Sequence, residues 1–229
     1  DLATGFVTWG SYLWRYALAG GVLVLLWLAA WMIPKTSAAL KGQSTAQGLA
    51  AVLCGVGFAA LGGVYLAAFR EMGRFELALA VLYLVSGVWM LLLGRSRFTP
   101  EFEAPTGSAV FGIAGTLALY LLTIKRFGLA PTGIVRVNNT LEALAALMAL
   151  LFCTAQLKSA YIPGGKSARW IWLSGMAAFL LCTCLALPSA MWAWMQGQSE
   201  LRNMIEGLCL ALVGLMGAAY ALSVSAEER

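Results

Sequence analysis

Two short polar segments carry the residue types that could bind a charged solute. Residues 136–142 read RVNNTLE and residues 202–206 read RNMIE, so each places an arginine, an asparagine and a glutamate at the start of a long apolar run. Guanidinium and carboxylate groups at one edge of a helical bundle can bind the opposite charges of a cationic or zwitterionic solute. The two segments therefore suggest a shared binding site, provided that both lie on the same side of the molecule.

The composition indicates that the chain lies in a membrane. Of its 229 residues, 61% are hydrophobic and 11% are charged, whereas soluble domains carry about 25% charged residues. The formal net charge is +5, but the basic residues are scattered between apolar runs and form no basic stripe, which argues against a nucleic-acid partner.

The composition also limits the possible cofactors. The chain has no histidine, which is the most common zinc ligand and the usual haem ligand. The cysteines fall inside apolar runs, where a thiol packs as a small hydrophobic group. We therefore expect no cofactor and no metal site. The cysteines are Cys54, Cys153, Cys182, Cys184 and Cys209.

The hydrophobic pattern predicts an all-α integral membrane protein, a polytopic bundle of seven transmembrane helices with six as the alternative. Residues 1–229 are predicted to form a single transmembrane domain with no soluble domain. Each apolar stretch has roughly the 20 residues needed to cross a hydrocarbon layer of about 30 Å. The predicted spans are approximately 12–33, 48–69, 75–94, 107–125, 138–160, 170–193 and 203–223.

Tryptophan positions support an odd number of spans, because indole side chains prefer the membrane interface. With seven spans, eight of the nine tryptophans fall into two interfacial belts and Trp27 lies inside. One belt contains Trp9, Trp14, Trp192 and Trp194, and the other contains Trp31, Trp89, Trp170 and Trp172.

The distribution of basic residues gives only a weak indication of the orientation in the membrane. The face at which the odd-numbered spans begin, here called the N-terminal face, has seven lysines and arginines, and the opposite face has eight. Under the positive-inside rule, this places the N-terminus outside and the C-terminus in the cytoplasm. The short loops favour a bacterial plasma (inner) membrane.

The starts of the odd-numbered spans bring the two polar segments to the N-terminal face. These spans start with Arg15, Arg74, Arg136 and Arg202, and three of them add Glu76, Glu142 and Glu206. Ionised side chains this close to the hydrocarbon usually face the bundle interior or a watery cavity. The predicted polar vestibule therefore consists of Arg15, Arg136, Asn138, Glu142, Arg202 and Glu206.

A purely structural role is the competing interpretation of these residues. Carboxylates in the first helical turn are stabilised by the helix dipole by about 0.3–1 kcal/mol, and arginine side chains can extend to the interface. Asn139 or Thr140 could cap the fifth helix, and Asn203 could cap the seventh. At the far end of the fifth span, Gln156 and Lys158 are candidates for an opposite gate, although Lys158 could equally extend to the headgroups.

Small residues and one proline predict how the helices pack. Gly55, Ala59 and Gly63 recur every four residues in the second span, as do Gly207 with Ala211 and Gly214 with Ala218 in the seventh, and such seams let helices approach closely. Pro188 is expected to kink the sixth span.

The sequence contains none of the serine-hydrolase, zinc-protease or phosphate-loop motifs, so we expect no enzymatic activity. We predict a polytopic membrane subunit that binds or translocates a small solute, together with partner proteins from the membrane or its surface. The alternative is a non-catalytic structural, assembly or regulatory, receptor-like subunit of a membrane complex. In both cases the surrounding lipid bilayer is the first partner.

Overall fold

The computed structural model describes residues 11–33, 43–68, 70, 73–99, 109–129, 136–162 and 167–226. This part of the chain forms seven helices that are long and apolar enough to cross a membrane, which confirms the all-α seven-helix prediction. The helices are α1 (Tyr12–Trp31), α2 (Thr45–Ala67), α3 (Arg74–Phe98), α4 (Ala109–Leu129), α5 (Val137–Tyr161), α6 (Ala168–Met195) and α7 (Leu201–Ala226).

Two helices continue past the basic residues at which the sequence suggested that they end. α3 runs to Phe98 rather than to residue 94, and the Arg97 side chain is buried against the bundle. α4 runs to Leu129 rather than to residue 125, so Lys125 and Arg126 belong to its last turns. Basic residues in the last turns of a helix are favoured by the helix dipole. A span that is ended at the first basic residue is therefore predicted too short.

The predicted side-chain caps of α5 and α7 are wrong, because both helices begin before the capping candidates. α5 has Arg136 at its N-cap position, with no side-chain cap, and the Thr140 hydroxyl donates to the Arg136 carbonyl instead. α7 already begins at Leu201, so Asn203 lies inside its first turn.

α2 and α3 pack through glycines that repeat every seven residues. Gly48, Gly55 and Gly62 of α2 face Gly94, Gly87 and Ala80 of α3 in antiparallel order. A Cβ atom placed on Gly55 or Gly94 would lie within 3.0 Å of a backbone oxygen of the other helix. Seven residues make almost two helical turns, so heptad-spaced glycines form one close-contact stripe. The predicted seam is thus right for Gly55 and wrong for Gly63, beside which a Cβ would meet nothing.

α6 and α7 also touch through glycines. A Cβ atom on Gly217 would lie 2.6 Å from the Gly175 carbonyl oxygen, and one on Gly207 would lie 2.7 Å from Ala190. Between these contacts, Phe179–Ala186 forms a π-helical segment that ends two residues before Pro188. The Thr183 hydroxyl donates to the Ala211 carbonyl of α7 at 2.8 Å. Such π-helical segments frequently occur at functional sites, and the kink expected at Pro188 stays a prediction.

Most tryptophans of the predicted belts lie on the outside of the bundle. Trp14, Trp31, Trp170 and Trp192 are exposed, as membrane-facing side chains should be, but Trp89 is 1% exposed and belongs to the core. Because α3 extends to Phe98, Trp89 lies about 13 Å below the end of its helix rather than at the interface. Trp9 is outside the described residues, as are Lys35, Lys41, Lys166 and Arg229, which were counted for the orientation.

α1 lies at the edge of the bundle. In this helix, all of whose residues are described, Ala30 alone is buried. Its C-terminal end is held by Arg169 of α6, which donates to the carbonyl oxygens of Trp31 at 3.1 Å and Ile33 at 2.9 Å and lies over the Trp31 ring. α1 therefore contacts α5 and α6 without closing tightly against them.

Candidate functional site

A cavity of about 450 Å³ opens between α1, α5 and α6 at the N-terminal face. It extends along α1 from Arg15 to Leu23, eight residues or about 12 Å. Three of the six predicted vestibule residues, Arg15, Asn138 and Glu142, line it. Two different helices thus bring a guanidinium, an amide and a carboxylate to one space.

Each polar side chain of this cavity has a neighbour that positions it. The Arg15 guanidinium lies 3.5 Å from Asn138 Oδ1, at the outer limit of a hydrogen bond. Glu142 accepts a 2.9 Å hydrogen bond from Arg126 of α4. The Glu142 side chain is 37% exposed in this ion pair and lines the cavity.

The remaining walls of the cavity are apolar. Leu18, Ala19 and Val22 of α1 form one wall, and the π-helical segment of α6 forms the facing wall. Ser189 adds a hydroxyl near the polar end, but that hydroxyl donates to the Leu185 carbonyl of its own helix at 3.0 Å. The residues that the π-helical segment contributes are Leu180, Leu181, Cys184 and Leu185.

Glu206 does not line this cavity. It is 2% exposed and forms an ion pair with Lys125, whose Nζ lies 2.6 Å from Oε1. The same oxygen accepts hydrogen bonds from the hydroxyls of Tyr65 and, at 3.4 Å, of Tyr83. Lys125 also donates to the Tyr65 hydroxyl at 2.8 Å. This buried cluster joins α2, α3, α4 and α7.

The consecutive basic residues Lys125 and Arg126 supply the partners of both glutamates. Successive residues point about 100° apart on a helix, so Lys125 faces α7 while Arg126 faces α5. A buried unpaired carboxylate would be very costly in a low-dielectric interior. The end of α4 therefore neutralises the two acidic groups that lie below the starts of α5 and α7.

The other predicted vestibule residues lie apart from the cavity. Arg202 binds its neighbour Glu200 at 2.7 Å rather than Glu206, and its guanidinium lies 5.9 Å from the centre of the Tyr65 ring. Arg136 is half-buried at the N-cap position of α5. At the opposite face, Gln156 is fully buried in the core, so it does not form the expected gate there.

Sequence reasoning missed Lys125, Arg126, Tyr65 and Tyr83. The fourth span was predicted to end at residue 125, so Lys125 was its last residue and Arg126 lay beyond it, and neither was considered as a partner of the glutamates. A usable signal was present: α4 ends at the face where α5 and α7 begin, so its last turns lie at the depth of Glu142 and Glu206. Paired charges at matching depth on antiparallel helices are expected partners.

The buried cluster around Glu206 and the polar end of the cavity differ in whether they can bind a solute. Glu206 is enclosed by an ammonium and two phenols, so it serves to join helices. Arg15, Asn138 and Glu142 border open space and can still contact a solute. In comparisons with known protein families, with characterised proteins and with solved structures, nothing matches this chain.

Proposed function

We propose that the protein binds a small amphipathic solute with a zwitterionic head group in the cavity between α1, α5 and α6. The observation that carries this proposal is the placement of Arg15, Asn138 and Glu142 at one end of an otherwise apolar cavity of about 450 Å³. Arg15 would bind the anionic part of the head group, Glu142 the cationic part, and the leucines of α1 and α6 the apolar body.

The dimensions and lining of the cavity support binding of a small molecule. Ligand sites usually measure about 300–1,000 Å³ and combine apolar walls with a few polar groups that orient the ligand. The peripheral position of α1 also supports the proposal. A helix that contributes almost no buried residues can move aside to admit a solute from the bilayer at little cost in packing.

The proposed setting is a bacterial plasma membrane, with the N-terminal face outside. Binding there would be the non-enzymatic first step of uptake or translocation, and the protein would act as a subunit that depends on partner proteins for energy. The short loops and the charges on the two faces support this setting. The polar end of the cavity would then lie at the outer leaflet, from which the solute would enter beside α1.

A cavity-filling substitution tests the proposal. Ala19 lines the cavity, so the indole of Ala19→Trp would occupy the space of the solute. Ala17 is exposed on the same helix and lies outside the lining, which makes Ala17→Trp the matched control. The protein would be purified in native-membrane nanodiscs, and the extracted small molecules identified by mass spectrometry.

We expect one compound to accompany the wild type and Ala17→Trp in stoichiometric amount and to be lost from Ala19→Trp. Identical extracts from all three proteins would contradict the proposal. Stoichiometric co-purification of a partner polypeptide, with no compound that responds to Ala19→Trp, would also contradict it and would favour a structural or assembly subunit.

A further inference from the structure

A second cavity lies between the same three helices at the opposite face. Its volume is about 550 Å³, and Leu23 of α1 lines both this cavity and the one at the N-terminal face. Leu23 is close to the middle of α1, so each cavity occupies about one half of the membrane thickness. The two cavities differ in the polar groups that they offer.

The charged residue in the lining of the second cavity is Lys158. Its ammonium has no carboxylate partner among the residues that the structure describes. The hydroxyls of Thr154 and Ser174 donate to carbonyls of their own helices at 2.9 and 2.5 Å. The nearly buried Ser167 also lines the cavity, and Lys158 is the charged group in the lining that can bind an anionic head group.

The length of the cavity matches one leaflet of a bilayer. Its α5 wall runs from Met148 to Lys158, ten residues or about 15 Å, which is half of a hydrocarbon layer of about 30 Å. Trp170, which is 63% exposed, lines the end near Lys158, at the depth where tryptophan meets the lipid head groups. The apolar walls deeper down, including Leu151 and Leu173, suit an acyl chain.

The described charges at this face are complementary to an anionic lipid. Arg169 already binds the carbonyls at the end of α1, which leaves Lys158 as the cation of the cavity. All described glutamates lie at the other, N-terminal face; they are Glu76, Glu142, Glu200 and Glu206. The described basic residues at the opposite face are Arg95, Arg97, Lys158 and Arg169.

We propose that this second cavity binds one acyl chain of an anionic phospholipid, whose phosphate contacts the Lys158 ammonium. The site is separate from the proposed solute cavity, with Leu23 between them. Its occupant would fill the space beside α1 and stabilise that helix against α5 and α6.

Native mass spectrometry of the full chain in detergent would test this site. The protein would be titrated with phosphatidylglycerol, or with phosphatidylcholine that has the same acyl chains. We expect one phosphatidylglycerol to bind with a Kd about fivefold lower than that of phosphatidylcholine, the difference expected for one lysine near an anionic head group. Lys158→Gln should remove this preference and Lys158→Arg should keep it. Arg95→Gln, at an exposed arginine of the same face, is the control and should leave the preference unchanged.

A second pair of variants tests the acyl-chain part of the site. Ala155 lines the cavity and Ala160 does not, so Ala155→Phe should lower the binding of both lipids while Ala160→Phe should not. Ala19→Trp, which fills the other cavity, should leave lipid binding intact, so the two proposals can fail separately. The proposal would be overturned if Lys158→Gln kept the preference or if Ala155→Phe bound both lipids normally.

Discussion

Lys125 of α4 and Glu206 of α7 form a buried ion pair, with 2.6 Å between Nζ and Oε1. The adjacent Arg126 binds Glu142 of α5 at 2.9 Å. Two consecutive residues near the end of α4 thus bind the two glutamates, which occupy similar positions in sequence but different environments in the structure. This arrangement leaves Glu206 enclosed within the bundle and Glu142 at the border of an open cavity.

Removing the buried carboxylate should destabilise the fold. Glu206→Ala would leave the Lys125 ammonium without its counter-charge, and breaking such a buried pair typically costs about 3–5 kcal/mol. Equilibrium unfolding in mixed micelles would measure the loss. The control is Arg202→Ala, which breaks the exposed pair with Glu200 and should cost less than about 1 kcal/mol. Equal losses for the two variants would refute the structural role of Glu206.

Neutralising the other glutamate should affect the solute and leave the fold intact. Because Glu142 is partly exposed and the amide oxygen of Glu142→Gln can still accept a hydrogen bond from Arg126, this variant should lose less unfolding free energy than Glu206→Ala. Loss of a charged hydrogen-bond acceptor should weaken solute binding by roughly tenfold or more. Binding of the compound identified by extraction would be measured by calorimetry, with Glu200→Gln as the control at the same face. Wild-type affinity in Glu142→Gln would remove Glu142 from the site.

The glycine stripe between α2 and α3 predicts a sharp contrast between two substitutions. A Cβ atom on Gly87 would lie 2.8 Å from the Ala59 nitrogen and 2.9 Å from the Gly55 oxygen, whereas one on Gly63 would meet nothing. Gly87→Ala should therefore cost about 1–3 kcal/mol of unfolding free energy. Gly63→Ala should be neutral or stabilising, because alanine favours helix over glycine by about 1 kcal/mol. The reverse order would show that α2 and α3 do not pack in this register.

Thiol labelling in intact cells tests the proposed orientation. Gln198 is exposed in the turn between α6 and α7 at the N-terminal face, and Gln43 is exposed before α2 at the opposite face. With the N-terminal face outside, a membrane-impermeant maleimide should label Gln198→Cys directly and Gln43→Cys only after permeabilisation. The opposite pattern would invert the topology, and wild-type protein would report the background from the native cysteines.

The number and approximate position of the helices follow from the sequence, because a bilayer requires apolar segments of nearly fixed length. The partners of the charged residues do not follow from it. The sequence suggested the dipole of its own helix as the stabilising influence on Glu206, and the observed partner is Lys125 on another helix. Such contacts depend on how the helices are arranged around the core, which the length of a span does not specify.

The wrong placement of Trp89 and the overlooked glycine contact between α2 and α3 have two different causes. Trp89 was assigned to an interface when the third span was predicted to end at residue 94, so an error in one boundary moved a core residue to the surface. The heptad spacing of Gly48, Gly55 and Gly62 was already visible in the sequence. It was missed because a four-residue spacing was considered instead, although seven residues return closer to the same helix face.

The most direct test of the solute-binding proposal is a density map of the protein in native-membrane nanodiscs, with a rigid antibody fragment attached to allow cryo-electron microscopy. The proposal predicts non-protein density in the cavity between α1, α5 and α6, with its polar end within hydrogen-bonding distance of Arg15, Asn138 and Glu142. A cavity closed by inward movement of α1, or a map with density that contacts none of these three side chains, would contradict it.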